Sequence, residues 1–225
     1  MIVCFFLCSC VLNTDTEVAP KAVKGVLDLS NWDFDKDGPV DLSGEYAFYW
    51  NHLIYPQDFS SASAPEKSGF IDVPGFWHTF KSEKIHTTAQ GYATYHLRII
   101  VNPNKGARSL AIKYLDMGSA LNLFLDGKKV CSVGMVGKTI ETSHPMYNPG
   151  IADFQVNGGS IDLTMQVSNF DHRRGGAWRE LRLGNVQDLR TARAKRINYD
   201  VFLFGSIFVM AMYHLGLFFL RRKEI

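Results

Sequence analysis

The stretch Ile161-Asp-Leu-Thr-Met-Gln-Val-Ser168 decides the fold class of this chain. Its apolar residues stand at every second position, at Ile161, Leu163, Met165 and Val167. A period of two places one face of a β-strand in a core and the other toward water, as is typical of antiparallel sheets. We therefore predict a strand here, in a domain built mainly from such strands.

The same alternation recurs on both sides of this stretch. Residues 95–101 and 121–125 follow it, and Asp126-Gly127 then supplies a tight turn into a return strand at residues 129–133. Residues 42–50 open with a glycine turn and continue with aromatic residues suited to a pleated surface. Several short strands separated by turns favour an all-β jelly-roll sandwich over an alternating β/α architecture.

Residues 201–220 form an uncharged apolar run, with basic residues at 193–196 before it and at 221–223 after it. Twenty helical residues are about 30 Å long, which matches the hydrocarbon thickness of a bilayer. We predict a single transmembrane helix here, a juxtamembrane linker at residues 190–200 and a tail at residues 221–225. The polar, basic segment 188–198 is either a linker or helical.

The N-terminus is typical of an exported protein. Residues 1–12 resemble the apolar core of a signal peptide, and residues 13–25 read as a polar linker before the β domain at residues 26–189. Export would place that domain outside a bacterial cell and the tail in the cytoplasm. Leu7-Cys-Ser-Cys10 also resembles a lipobox, so lipidation of Cys10 and ordinary signal cleavage both stay open.

Composition excludes several function classes. A net charge of +2 gives no argument for nucleic acid binding. The histidines lack metal-ligand spacing, and no nucleophile elbow, phosphate loop or dinucleotide fingerprint is present. We therefore expect no catalytic residues, no metal and no cofactor, and a protein that is not an enzyme.

The richest polar constellation follows the clearest strand, at residues 169–180. Arginines, a histidine, an aromatic plane and carboxylates around two glycines suit a sugar, which needs a stacking surface and planar hydrogen-bonding groups. The candidate ligand-binding residues are Asn169, His172, Arg173, Arg174, Trp178 and Glu180, with Trp77 from the turn at residues 73–78. The competing interpretation is an internal arginine–carboxylate network that holds a long loop, with Trp178 in the core.

Taken together, five motifs resemble bacterial seven-transmembrane receptors with diverse intracellular signalling modules. They are Leu42-Ser-Gly-Glu-Tyr-Ala-Phe-Tyr-Trp50, Val73-Pro-Gly-Phe-Trp77, Gly91-Tyr-Ala-Thr-Tyr-His-Leu-Arg98, Ser168-Asn-Phe-Asp-His-Arg-Arg-Gly-Gly-Ala-Trp178 and Tyr213-His-Leu-Gly-Leu-Phe218. The resemblance implies a periplasmic sensor of the galactose-binding, jelly-roll type (type 2 in that family), followed by the first of seven helices. It also implies likeness to the N-terminal sugar-binding-type domain of β-galactosidases and β-glucuronidases.

Two functions follow from these expectations. The first is an extracytoplasmic sensor for a carbohydrate or small molecule, on a chain that stops after the first helix and is a truncated product, a fragment or one part of a split receptor. The alternative is a periplasmic interaction or dimerisation module without a small ligand. In either case a separate membrane or signalling partner could pair with the helix through small residues at Gly205, Ser206, Ala211 and Gly216.

Overall fold

The computed structural model describes residues 19–61, 64–83, 85–105 and 108–222. The predicted leader, Cys10 and residues 13–18 of the predicted linker lie outside these residues. Eleven strands precede one long helix, α1, at Val186–Arg221. The strands are β1 Val26–Leu29, β2 Val40–Leu42, β3 Gly44–Trp50, β4 Gly69–Val73, β5 Gly91–Val101, β6 Arg108–Tyr114, β7 Ala120–Leu125, β8 Lys128–Val133, β9 Gly150–Val156, β10 Ser160–Asn169 and β11 Leu181–Asn185.

The strands form two sheets. The seven-stranded sheet has the order β4-β3-β5-β10-β7-β8, with β1 lying parallel to the end of β5. The four-stranded sheet has the order β2-β11-β6-β9. Every pairing except β1 with β5 is antiparallel, which confirms the predicted strand orientation.

One hydrophobic core lies between the sheets. All four apolar side chains predicted for β10 are fully buried in it, and they belong to the same cluster as Leu110 and Leu183 of the smaller sheet. Burial of both inner faces in one cluster defines a β-sandwich, as the alternation predicted. The turn at Asp126-Gly127 joins β7 to β8 with positive φ at both residues, as predicted for a two-residue hairpin.

The outer face of β10 differs from the prediction, because it is buried as well. Thr164, Gln166 and Ser168 are at most 2% exposed. The segment near Ile54 covers this face on one side, and the segment near Gly137 covers it on the other, each through hydrogen bonds to the sheet. Alternation therefore marked the polar face correctly, but these covering segments exclude water from it.

The folded region begins earlier than the predicted boundary at residue 26. Ala22 is buried, and its backbone nitrogen donates to the Ser43 oxygen at 2.7 Å. Lys24 and Gly25 have positive φ and turn the chain from this contact into β1. The last residues of the predicted linker therefore belong to the sandwich.

Helix α1 is continuous through the predicted juxtamembrane linker at residues 190–200, which is helical. Its 36 residues make it about 54 Å long. Its most apolar 18-residue window has a mean hydropathy of 1.9, and none of that window is buried. By length and composition this helix is able to cross a membrane. Its first turns contact β6, β9 and β11.

Candidate functional site

The loop at residues 170–180 carries most of the predicted site and connects the larger sheet to the smaller one. Asn169, at the end of β10, holds its first turn. The Asn169 side-chain amide donates to the backbone oxygens of Ala89 at 2.9 Å and His172 at 2.7 Å, and its oxygen accepts from the His172 nitrogen at 3.0 Å. Asn169 is buried. Asn169 was predicted to bind a ligand, but its side chain instead holds the backbone of the loop in shape.

Two glycines let the loop pack closely against the segment that follows β4. A Cβ on Gly175 would lie 2.2 Å from the Trp77 ring, and a Cβ on Gly176 would lie 2.8 Å from the Gly75 oxygen. Backbone bonds join the two segments, from Gly75 to Ala177 at 2.9 Å and from Trp77 to Gly175 at 3.1 Å. The two segments therefore form one rigid unit.

Trp77 lies beneath this unit and not on its surface. The side chain is 0% exposed, its indole nitrogen donates to the Ala89 oxygen at 3.1 Å, and its ring meets Trp50 edge-on at 5.1 Å. The prediction that Trp77 contacts a ligand is therefore corrected, because the core encloses it on all sides. It supports the loop from the core side.

An exposed cluster of aromatic and cationic side chains lies on the outer side of the same unit. Phe76 stacks with Trp178 at 6.1 Å and with His78 at 5.5 Å between ring centres. The Arg174 guanidinium lies 5.2 Å from the centre of Phe76, and that of Arg179 lies 4.6 Å from the centre of Trp178. We call these five residues the aromatic–arginine cluster. It offers ring faces and charged planar donors side by side.

Trp178 is half-buried in this cluster. Its indole nitrogen donates to the backbone oxygen of Met117, in the loop between β6 and β7. This bond fixes the ring plane while part of the ring stays accessible. The structure thus combines the two interpretations of Trp178, since the ring is both anchored and exposed.

A shallow depression of about 420 Å³ adjoins the start of the loop. His172 and Arg173 line it, and both are exposed. The His172 ring is oriented by its Nδ1 atom, which lies 2.9 Å from the Arg174 backbone oxygen. The remaining lining residues are Thr88, Ala89, Gln90 and Asp171. These side chains present donors and acceptors suited to hydroxyl groups.

Glu180 lies near Arg182 and Asp41. The pKa of Arg182 is raised, first by its hydrogen bonds to Asp41 and also by the charges of Asp41 and Glu180, against the opposing effect of burial. Glu180 therefore contributes to the electrostatics of β11, and it does not line the depression.

The structure thus places four of the seven predicted residues in the depression or in the aromatic–arginine cluster. His172 and Arg173 line the depression, and Arg174 and Trp178 belong to the aromatic–arginine cluster. Phe76, His78 and Arg179 complete the cluster and were not predicted. The only signal for Phe76 was its place beside Trp77, since neighbours in an extended segment point to opposite sides.

No group of three or more His, Cys, Asp or Glu side chains able to hold a metal occurs within the ranges that the structure describes. Cys131, on β8, is a free thiol. Burial raises its pKa to about 12, so it stays protonated at neutral pH.

Comparison with known proteins finds no matching family model and no matching curated protein. Similar solved structures include a GH2 β-galacturonidase from Eisenbergiella tayi bound to galacturonate, with 16% identity over 65% of this chain and a TM-score of 0.44. A β-glucuronidase from Ruminococcus gnavus shows 12% identity over 64% and a TM-score of 0.47. A β-glucuronidase from Faecalibacterium prausnitzii shows 18% identity over 60% and a TM-score of 0.43.

The matched regions span 24%, 27% and 21% of those three enzymes, respectively. At these scores and coverages, the likeness assigns no ligand or activity to this chain.

Proposed function

We propose that this chain is a membrane-anchored sensor module that binds a carbohydrate or another small polar molecule through loop 170–180. The observation that carries the proposal is the aromatic–arginine cluster beside the depression at His172. The arginines and histidines of these two features are exposed, Phe76 and Trp178 are half-buried, and the backbone beneath them is held by contacts with the core.

The chemistry of the cluster supports this ligand class. A sugar ring has an apolar face that stacks on an aromatic ring and a rim of hydroxyl groups that bond to planar donors. Phe76 and Trp178 offer the stacking surface, and Arg174 and Arg179 lie within 6 Å of those rings. A carboxylate on the sugar would gain from the two guanidinium groups.

The connection to α1 supports a sensing role. Loop 170–180 is followed by β11, only five residues long, and then directly by α1. A change in the loop on ligand binding therefore has a short covalent path to the helix. Signalling requires two states with different ligand affinity, and this is part of the proposal.

Membership in the seven-transmembrane receptor family, a jelly-roll arrangement of the galactose-binding type and an extracytoplasmic bacterial location complete the proposal. The motifs quoted above support the first two, and the leader-like residues 1–12 support the third. No enzymatic activity is proposed, because the chain shows no catalytic motif.

The direct test is thermal unfolding of the full chain in lipid nanodiscs, followed by intrinsic tryptophan fluorescence. Neutral sugars, uronates and small metabolites would be added one at a time. A ligand at one hundred times its dissociation constant stabilises by about 2.7 kcal/mol. For a domain of this size we expect a shift of about 5–10 °C. A cooperative transition with no shift across the panel would contradict the proposal.

Replacement of Arg174 by Gln should weaken binding of any ligand found in this way by about tenfold or more, because charge-assisted hydrogen bonds are lost. The matched control is Arg98→Gln, at an exposed arginine on β5. Both variants should unfold at the wild-type temperature without ligand. Equal ligand affinity in the two variants would show that the aromatic–arginine cluster is not part of the binding site.

The interaction-module alternative is favoured by one observation, the shallowness of the depression. Small-molecule sites usually enclose most of their ligand, whereas this surface is open. A domain without any ligand shift that associates with increasing concentration would support this second function.

A further inference from the structure

The path of α1 over the smaller sheet gives the direction in which the membrane lies. In that sheet Asn185, the last residue of β11, pairs with Leu110 of β6. Helix α1 begins at the next residue, and Arg190 forms an ion pair with Asp153 of β9. Asp153 pairs with Ala111, one position along β6 from Leu110. The helix therefore crosses the smaller sheet obliquely, from β11 over β6 toward β9, and shifts toward the C-terminal end of β6.

The next turn of α1 continues in the same direction. The pKa of Tyr114, the last residue of β6, is raised by burial first and by Cys131 next, and the charge of Arg193 opposes this rise. Arg193 therefore lies near Tyr114. The helix advances about 10 Å over the seven residues from Val186 to Arg193, and β6 advances about 13 Å over the four residues from Leu110 to Tyr114. The two distances are similar, so Arg193 is able to reach the Tyr114 end of β6. Leu189, 2% exposed, anchors the helix between these points.

Helix α1 therefore crosses the smaller sheet obliquely from the end of β11, and we infer that it leaves the sandwich at the Tyr114 end. The apolar run begins at Val201, eight residues or about 12 Å beyond Arg193. Strands β6, β8 and β10 finish at this end, and β7, β9 and β11 start there. Three loops that join the two sheets lie at this end, at residues 115–119, 134–149 and 170–180, beside the connection between β3 and β4 and the start of β5.

The middle loop carries large apolar side chains that the sandwich does not cover. Met146 is 56% exposed and Tyr147 is 78% exposed, and they lie just before β9. The backbone of this loop is held in place, since Met135 and His144 exchange two hydrogen bonds of 2.8 and 2.9 Å. The Ser143 hydroxyl also lies 2.8 Å from that of Ser168. The exposed side chains therefore project from a fixed support.

We propose that this end of the sandwich rests on the lipid surface of the membrane that α1 crosses, with Met146 and Tyr147 in the interfacial layer. The headgroup region occupies about 5–7 Å on each side of the hydrocarbon core, so loops projecting from the Tyr114 end reach it. Tyrosine is enriched at this depth. Lys138, Arg173, Arg174 and Arg179 on these loops are balanced by Asp116, Glu141, Asp171 and Glu180, so the exposed apolar side chains carry the proposal and net charge does not.

The proposal rests on α1 spanning the bilayer and is independent of any soluble ligand. It has one consequence for the candidate site. Loop 170–180 would face the bilayer, so a ligand would reach it from the side or from the membrane surface.

The test places an environment-sensitive fluorophore on single cysteines in the full chain. Cys4, Cys8 and Cys10 are replaced by Ser and the half-buried Cys131 by Ala, so that each variant carries one cysteine. Labels are placed at Tyr147→Cys, at Met146→Cys and, as a matched control at the opposite end, at Asn157→Cys. Phe208→Cys reports on α1 itself. Each variant is reconstituted in nanodiscs of zwitterionic and anionic lipids, with or without headgroup-linked nitroxide quencher.

We expect several-fold stronger quenching at residues 146 and 147 than at residue 157. A nitroxide placed in the acyl chains should quench the label at residue 208. Quenching at 208 without preferential quenching at 146 and 147 overturns the proposal and leaves the membrane span intact. A blue shift at 147 that depends on protein concentration, without lipid quenching, also overturns it in favour of a second copy. Absence of quenching at residue 208 would show that α1 does not span the bilayer, and this would overturn the proposal as well.

Discussion

At the scale of single residues, Gly175 determines how the site loop lies on the core. Trp77 fills the space beneath the loop, and no room is left for a side chain above its ring. The same contact sets the position of Phe76, which adjoins Trp77 and carries the stack on the surface. A packing requirement in the core thus fixes the surface that would meet a ligand.

Gly175→Ala should therefore destabilise the sandwich by about 1–3 kcal/mol, because the added methyl group overpacks the Trp77 ring. Gly158→Ala is the matched control, since a Cβ there meets nothing within 4 Å. Urea unfolding followed by tryptophan fluorescence measures both. Equal midpoints for the two variants would show that the loop moves away from Trp77 without loss.

At the scale of elements, β10 is the central strand of the larger sheet and uses both of its faces. A ladder of polar side chains crosses four strands on its outer face. Gln166 pairs in register with Thr94 and Asn122, and Asn122 pairs with Ser132. The Gln166 amide accepts from Asn122 at 3.1 Å and donates to the Ile54 oxygen at 3.0 Å. The ladder thus fastens the covering segment to the sheet.

Replacement of Gln166 by Ala should cost about 1–3 kcal/mol, because buried partners on Asn122 and Ile54 lose their hydrogen bonds. Gln155→Ala is the control, at an exposed glutamine on β9. The free energy of unfolding gives the cost. Native-state hydrogen exchange should also rise at the Ile54 amide, which donates to Thr94 at 2.9 Å. Unchanged exchange there would show that the ladder does not hold the covering segment.

Elements with a clear period were predictable from the sequence, and the remainder depended on tertiary contacts. Alternation located β5, β7 and β10, and the Asp126-Gly127 turn located β8 as the return strand of a hairpin. Short strands such as β4 and β11 carry too few residues for a period to appear. The segment at residues 190–200 has little apolar periodicity of its own, yet it is helical because α1 continues through it without a break.

The candidate site was predictable in composition but not in arrangement. The sequence places arginines, His172 and Trp178 on one loop, and the structure places four of the seven predicted residues in the depression or in the aromatic–arginine cluster. Whether Phe76 or Trp77 faces outward depends on the contact of residues 75–77 with residues 175–177, about one hundred positions along the chain. No local pattern records that contact.

At the scale of the whole molecule, the sandwich and the apolar half of α1 require opposite environments. The sandwich encloses one continuous apolar core, whereas residues such as Phe204, Val209 and Leu220 are largely exposed on the helix. A bilayer would bury these apolar side chains in lipid. Basic residues lie at both ends of the apolar run, so they do not by themselves decide on which side of the membrane the sandwich lies.

Reporter fusions after Ile225 decide the orientation. We expect green fluorescent protein to fluoresce there and alkaline phosphatase to stay inactive in a bacterial host, because the proposed orientation puts residues 221–225 in the cytoplasm. The same fusions on a chain lacking residues 1–12 serve as the control for export. An active phosphatase together with a dark fluorescent protein would invert the topology.

The change of chain direction between β11 and α1 gives the helix the geometry of a lever. In the proposed arrangement its first residue, Val186, lies at the end of the sandwich farthest from the membrane, and the rest of the helix passes the sandwich before it enters lipid. For a rigid arm of about 54 Å, a tilt of about 4° displaces the far tip by about 4 Å. A sub-ångström adjustment where Leu189 and Arg190 grip the smaller sheet would thus be amplified into a displacement comparable to the size of a side chain at the opposite leaflet.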